Sequence, residues 1–171
     1  PDPNVLAVSV NYPGIVEDVN VGNIIILDNG LLRLEVIAKT SDCLSCQALN
    51  PGVLGSRRHI NLPGIKVNLP SLTQKDYADI GLAIELGVEF FALSFVRQAA
   101  DIDLLRQYLR RTGSQARILA KMEDQSAVAN IDSIIEASDG VMIARGDLGV
   151  ECPYETLPII QRSTIRTCIR R

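Results

Sequence analysis

Ile118-Leu-Ala-Lys-Met-Glu-Asp124, followed after one helical segment by Val141-Met-Ile-Ala-Arg-Gly-Asp147, is the stretch on which the fold turns. Each half is a short apolar run that ends in charged residues. Between them, Val128, Ile131, Ile134 and Ile135 recur at helical spacing, and Gly140 closes the segment. Two strands joined by a single helix imply a parallel β/α unit. Continuously apolar strands fit a sheet covered on both faces.

The alternation extends in both directions. Upstream, Thr73-x-x-Asp76 has the form of a capping box with Asp in place of Glu. Tyr77, Ile80 and Ile84 follow at helical spacing, and Gly87 ends the segment. Val88-Glu-Phe-Phe-Ala-Leu-Ser-Phe-Val96 reads as one apolar strand. A second helix spans Asp101 to Arg111, with Ile102, Leu105 and Leu109 on one stripe and Gly113 as its stop. Downstream, Pro158 suits the first turn of a final helix. Its Arg162, Arg166 and Arg170 recur every four residues as a solvated face. The strands begin roughly 25 residues apart, the repeat of a β/α barrel. Three units cannot close a barrel that needs eight. The expected fold is therefore α/β, a partial TIM (β/α)8 barrel, either as a piece or in dependence on other chains.

Before about residue 65 the character differs. Val5-Leu-Ala-Val-Ser-Val10, Ile24-Ile-Ile-Leu27 and Leu31-Leu-Arg-Leu-Glu-Val-Ile37 read as strands, with a further one through Cys43 to Leu49. Asp28-Asn-Gly30 is a strong turn signal, because Asn and Gly accept positive φ. No convincing helix is read here, and the module is a small antiparallel β domain. The Gly- and Pro-rich residues 51–72 form a connector carrying Arg57-Arg58-His59, which is either a solvated linker surface or an anion contact at a domain junction. The division drawn is residues 1–64 for the β domain and 65–171 for the partial barrel.

Composition narrows the function. With 47% hydrophobic and 22% charged residues, the 171-residue chain can build one sizeable core or parts of two domains. A net charge of −3 and only 4% aromatics give no basic footprint or stacking platform for nucleic acid. No apolar run approaches the ~20 residues of a membrane span. No signal-peptide pattern opens the chain, whose first residues read like a loop cut open. The expected home is the cytoplasm or an equivalent reducing space. Cys43-Leu-Ser-Cys46 is formally a C-x-x-C. A structural zinc site usually carries two such pairs, and a strand would point these thiols to opposite faces, so they are read as ordinary thiols. His59, the one histidine, has no nucleophile or ligand cluster arranged around it in sequence.

The chemistry gathers at the strand ends. Lys121 and Glu123, two apart, share a face if the strand continues. Asp147 follows the next strand one β/α unit later. Ligands of parallel β/α folds sit at the carboxyl ends of strands, so Lys121, Glu123 and Asp147 can converge. Two carboxylates suit Mg²⁺, and an ammonium can neutralise a transferring phosphoryl group. Gly146 and Gly149 let backbone N–H groups approach an anion. Spacing alone leaves the alternative open: a surface Lys–Glu ion pair, and a turn with a helix cap.

The wording of the motifs goes further. Ile135-Glu-Ala-Ser-Asp-Gly-Val-Met-Ile-Ala-Arg-Gly-Asp-Leu-Gly-Val-Glu151 resembles the signature of pyruvate kinases, and Lys121-Met-Glu-Asp124 resembles their Lys-Ile-Glu-Asn segment. Ser94-Phe-Val-Arg97 is similar to their fourth barrel strand region. Leu54-Gly-Ser-Arg-Arg-His-Ile-Asn-Leu-Pro-Gly64 resembles their return from the lid domain to the barrel, and Asp28-Asn-Gly30 sits where the lid hairpin carries Asp-Asp-Gly. The resemblance implies an internal piece: most of an antiparallel β lid plus barrel units four to six. It implies transfer of a phosphoryl group from phosphoenolpyruvate to ADP, giving pyruvate and ATP in glycolysis. Mg²⁺ or Mn²⁺, and K⁺, are the implied cofactors. By the same resemblance Lys121 stabilises the phosphoryl group, Glu123 and Asp147 bind the metal, and Gly146 and Asp147 receive the substrate carboxylate. Arg58 stands where a lid lysine contacts the nucleotide. His59 replaces a Gly, and Asp124 replaces an Asn beside the site. A homo-oligomer, a tetramer, is implied for a full-length protein, in the cytoplasm or a plastid, and negligible turnover for this piece alone. Two other classes remain: a Mg²⁺-dependent aldolase or lyase of the phosphoenolpyruvate/pyruvate barrel group, which has no place for the lid segments, and a non-catalytic regulatory module.

Overall fold

In the computed structural model, which describes residues 6–171, the apolar run at Ile24 becomes a strand because a turn folds the next run back onto it. A single helical turn, α1 (Ile15–Asp18), comes first, then β1 (Ile24–Leu27) and β2 (Leu32–Lys39). The two strands pair antiparallel, with Leu27 opposite Leu32. Asp28, Asn29 and Gly30 take φ of 50°, 56° and 95°, a region that Asn, Asp and Gly enter most readily. β3 (Leu44–Ala48) pairs with β2, and β4 (Ile60–Asn61) pairs with the far edge of β1, so the sheet order is β3-β2-β1-β4. Val19, Ile25, Leu27, Val36 and Leu62 form its core.

Two expectations for this part fail. Residues 6–10 form no strand, and Leu6 and Val8 are 95% and 65% exposed; Val5 lies outside the described residues. The apolar run there buries nothing that would hold it in a sheet. A helical turn does occur at α1. Lys39 holds its end, donating to the carbonyls of Glu17 and Val19 at 3.2 and 2.8 Å, a cation at a helix C-terminus. The first compact unit of the chain reaches to Asn68, and the second runs from Leu69 to Arg171.

The second unit alternates helix and strand. α2 (Gln74–Glu85) starts at the capping box that its sequence announced: the Thr73 hydroxyl accepts from the Asp76 N–H, and the Asp76 carboxylate accepts from the Thr73 N–H. β5 (Phe90–Leu93) follows, then α3 (Ala99–Arg111), β6 (Arg117–Met122), α4 (Gln125–Ala129), α5 (Ile131–Ala137), β7 (Gly140–Ile143), α6 (Arg145–Glu151) and α7 (Leu157–Ile169). β5, β6 and β7 pair in parallel, in that order. Ile102, Leu105 and Leu109 of α3 join Ile118, Ala120 and Met122 of β6 in one buried core, as the stripe required. Gly140 stands opposite Leu119, where a Cβ would come within 2.8 Å of Leu119 Cδ2.

Three boundaries differ from the sequence reading. The strand at Val88 covers only Phe90–Leu93, because Phe95 turns to φ 51°. The helix expected across Val128 to Ile135 is two helices, broken at Asn130, whose side-chain amide donates to the Arg97 carbonyl at 2.8 Å. The Arg-Gly-Asp-Leu-Gly run is helical, not a glycine turn, since Leu148 is fully buried and its N–H donates to the Ala144 carbonyl at 2.9 Å. Tertiary burial outweighs the helix cost of two glycines, about 1 kcal/mol each.

Candidate functional site

Parallel pairing puts the ends of β5, β6 and β7 at one edge of the sheet. Leu93 stands opposite Ala120, and Lys121 opposite Met142. Ser94 therefore leaves β5 beside Lys121. The Lys121 ammonium donates to Ser94 Oγ at 2.9 Å and lies 2.5 Å from Glu123 Oε1. The other carboxylate oxygen of Glu123 accepts the Phe95 N–H at 2.6 Å. Glu123 is 2% exposed, whereas the Lys121 side chain is 24% exposed. A buried carboxylate needs such partners, because losing water without replacement costs several kcal/mol. The charged pair is thus held from both sides by two consecutive residues of the preceding strand's exit.

The third predicted group lies one unit on. The Ala144 N–H donates to the Met122 carbonyl at 3.1 Å, prolonging the β6–β7 ladder to the point where α6 begins. Asp147 sits in the first turn of α6, half-buried, where a carboxylate is favoured by the unpaired N–H groups of a helix start. Gly146, one residue before it, faces open space: a Cβ there would meet nothing within 4 Å. The sheet thus brings Lys121 and Glu123 into contact, and it delivers Gly146 and Asp147 to the same edge.

The donor set suits a hard divalent cation. Among the described residues, no group of three or more His, Cys, Asp or Glu could hold a metal. Mg²⁺ commonly takes one or two carboxylates and fills its remaining positions with water and substrate oxygens. Glu123 keeps unused acceptor positions, since each carboxylate oxygen has two and each is bonded once in the described contacts.

Other singled-out residues have local tasks. Asp124 caps α4, accepting the Ala127 N–H at 2.8 Å. Burial pushes its carboxyl above the ordinary range, against the pull of that N–H and of Arg97. Arg58 belongs to the other unit, where its guanidinium meets Asp28 Oδ1 at 3.4 Å and remains half-exposed. The His59 carbonyl accepts the Asp28 N–H at 3.0 Å, so its backbone tethers the hairpin. Cys43 lies before β3 and Cys46 within it; all four thiols are free, and burial pushes the Cys46 thiol up. Two contacts of this pair escaped the sequence reading, the Ser94 hydroxyl and the Phe95 N–H. The signal available for the first was register alone, since a strand ending one residue before Ser94 sets it next to Lys121. A cleft of about 630 Å³ opens at the opposite, amino end of the sheet, between Gly87, Phe90, Gly113 and Arg117. It contains neither Lys121 nor Asp147.

Comparison with known proteins adds the following. A family model described as pyruvate kinase, barrel domain, matches residues 2–171. A pyruvate kinase of Geobacillus stearothermophilus is 48% identical over 164 residues, covering 94% of this chain and 28% of that protein. The chloroplastic pyruvate kinase isozyme G of Ricinus communis is 45% identical over 161 residues, covering 94% of this chain and 38% of that protein. The crystal structure of a pyruvate kinase from Cryptosporidium parvum matches with a TM-score of 0.85 at 38% identity, over 92% of this chain and 33% of that one. The chain therefore spans between 28% and 38% of the length of these relatives.

Proposed function

The chain belongs to the pyruvate kinase family, and we propose that the protein carrying it moves the phosphoryl group of phosphoenolpyruvate to ADP. Its parallel unit is part of an α/β barrel and its antiparallel unit is the β lid of that fold. In the reaction the bond between phosphorus and the enol oxygen breaks, and a bond to the terminal phosphate oxygen of ADP forms. The released enolpyruvate takes up a proton to become pyruvate, and ATP leaves.

The observation that carries this reading is the Lys121 ammonium, bracketed by Ser94 Oγ and Glu123 Oε1 at the carboxyl edge of a parallel sheet. A fixed ammonium lowers the barrier where negative charge accumulates on a phosphoryl group in transit. Lys121 is the catalytic residue and also contacts the phosphoenolpyruvate phosphate. Glu123 and Asp147 hold Mg²⁺ or Mn²⁺, which when bound supplies charge neutralisation to the phosphate oxygens. Gly146 and Asp147 offer backbone N–H groups at the start of α6 to the substrate carboxylate. Arg58, in the lid, contacts the nucleotide. K⁺ as second cofactor, a homotetramer, and a cytosolic or plastid home complete the proposal. No helix among the described residues is long and apolar enough to cross a membrane.

The test is a lactate-dehydrogenase-coupled assay of the full-length protein with phosphoenolpyruvate, ADP, Mg²⁺ and K⁺. Turnover is expected, and Lys121→Met is expected to remove it by a factor of about 10³ or more. Turnover that survives Lys121→Met rejects the assignment of this site.

A further inference from the structure

We propose that Ser94 is a positioning residue for the Lys121 ammonium, and that the strained Phe95 backbone exists to complete the same clamp. The proposal rests on the phosphoryl-transfer reading for its catalytic consequence, but its geometry stands independently.

Four groups form a closed ring. Ser94 Oγ accepts from Lys121 Nζ at 2.9 Å, Lys121 Nζ meets Glu123 Oε1 at 2.5 Å, and Glu123 Oε2 accepts from the Phe95 N–H at 2.6 Å. The peptide bond between Ser94 and Phe95 closes it. An ammonium on a four-carbon stem is otherwise free to swing. With a carboxylate as its sole anchor, Lys121 would follow Glu123, whose charge a bound cation would share. Ser94 supplies a neutral second anchor, which a bound cation would draw less strongly than a carboxylate. The ammonium can thus be held in place while the carboxylate serves elsewhere.

Phe95 makes this geometry possible at a cost. Its φ of 51° is a left-handed conformation that a bulky side chain seldom adopts. What the conformation does is end β5 and aim the N–H at Glu123. Strain that persists at such a point fits a conformation over-determined by its surroundings and used by the site.

The experiment compares Ser94→Ala and Ser94→Thr with the unsubstituted full-length protein. Ser94→Ala removes one hydroxyl and adds no volume, so it asks little of the surrounding packing. For Ser94→Ala, kcat is expected to fall about ten- to a hundredfold, the cost of a misplaced catalytic group. The affinity for Mn²⁺, read by electron paramagnetic resonance without substrate, is expected to stay within about twofold, since Ser94 is not among the proposed metal ligands. Ser94→Thr, which keeps the hydroxyl, is expected to restore most of kcat. In parallel, the rate at which cyanate labels Lys121, read by peptide mass spectrometry, is expected to rise in Ser94→Ala and return in Ser94→Thr. Unchanged kcat and unchanged labelling in Ser94→Ala overturn the proposal while leaving the reaction standing. Absence of turnover in the unsubstituted protein overturns the reaction instead, and the labelling rates then decide the positioning role alone.

Discussion

Lys121 and Glu123 meet at 2.5 Å, but they do not share their burial: the carboxylate is 2% exposed and the lysine side chain 24%. The asymmetry predicts unequal consequences when either partner is lost. Lys121→Met leaves a sealed carboxylate with the Phe95 N–H as its remaining described partner. That is the situation in which breaking a buried pair costs about 3 kcal/mol. Glu123→Gln leaves an ammonium that still has Ser94 Oγ and access to water; the amide oxygen still accepts the Phe95 N–H, but the amide NH2 then faces the ammonium in place of Oε1, so the cost is about 2 kcal/mol. Urea unfolding of the two variants measures the order. A costlier Glu123→Gln would mean that the lysine, not the carboxylate, is the group that depends on the pair.

Gly146 separates ligand binding from folding. It lies in α6, and a Cβ would meet nothing within 4 Å. Gly146→Ala should therefore fold as well as the unsubstituted protein, or gain up to about 1 kcal/mol from helix propensity. If the substrate carboxylate docks against this backbone, the added methyl group occupies its approach. KM for phosphoenolpyruvate is then expected to rise about tenfold or more, while KM for ADP stays unchanged. An unaltered KM in a folded variant removes Gly146 from the substrate site.

What the sequence disclosed follows from which forces act locally. The run Ile118-Leu-Ala120 announces a buried strand because its neighbours in space are apolar on both sides, and the chain obeys. The capping box at Thr73 and Asp76 is equally local, being satisfied within one turn. By contrast, α6 is decided by Leu148 packing out of sight of its own glycines, and the break at Asn130 by a carbonyl 33 positions away. The site divides the same way. Lys121 and Glu123 are legible as a pair because their spacing places them on one side of a strand end. Ser94 and Phe95 are not, because their part depends on register between strands and on a left-handed turn that a phenylalanine does not advertise.

Arg58 offers a test of the lid. Its contact with Asp28 is 3.4 Å long and the guanidinium is 50% exposed, so the pair contributes at most about 1 kcal/mol to stability. Arg58→Ala is expected to leave urea unfolding nearly unchanged. If Arg58 serves the nucleotide, KM for ADP should rise about tenfold with KM for phosphoenolpyruvate steady, the loss of one charge-assisted contact. Arg58→Lys should recover part of the loss, since charge survives and the planar fork does not. Equal rises in both constants would point to a disturbed hairpin at Asp28 rather than a lost nucleotide contact.

Asp139 should govern part of the acid stability of the barrel unit. It accepts the Ile118 N–H at 2.7 Å and meets the Arg106 guanidinium at 3.1 Å, tying α3 to the start of β6. Burial works to raise its carboxyl, yet the N–H and the guanidinium outweigh it and hold the carboxyl below the ordinary range. A folded value below the unfolded one means that the ionised form favours folding. Its contribution is complete above the ordinary carboxylate range near ~4 and fades as the pH falls through the lower folded value. Asp139→Asn keeps an oxygen for the Ile118 N–H and removes the charge. At pH 7 it is expected to be less stable by up to about 1 kcal/mol, since both partners are partly exposed. Urea unfolding from pH 7 down to about pH 2 should show the two proteins converging, because protonation makes the native residue resemble its amide. A gap that persists undiminished in acid would place the effect in lost hydrogen-bond geometry, with the Arg106 charge contributing nothing.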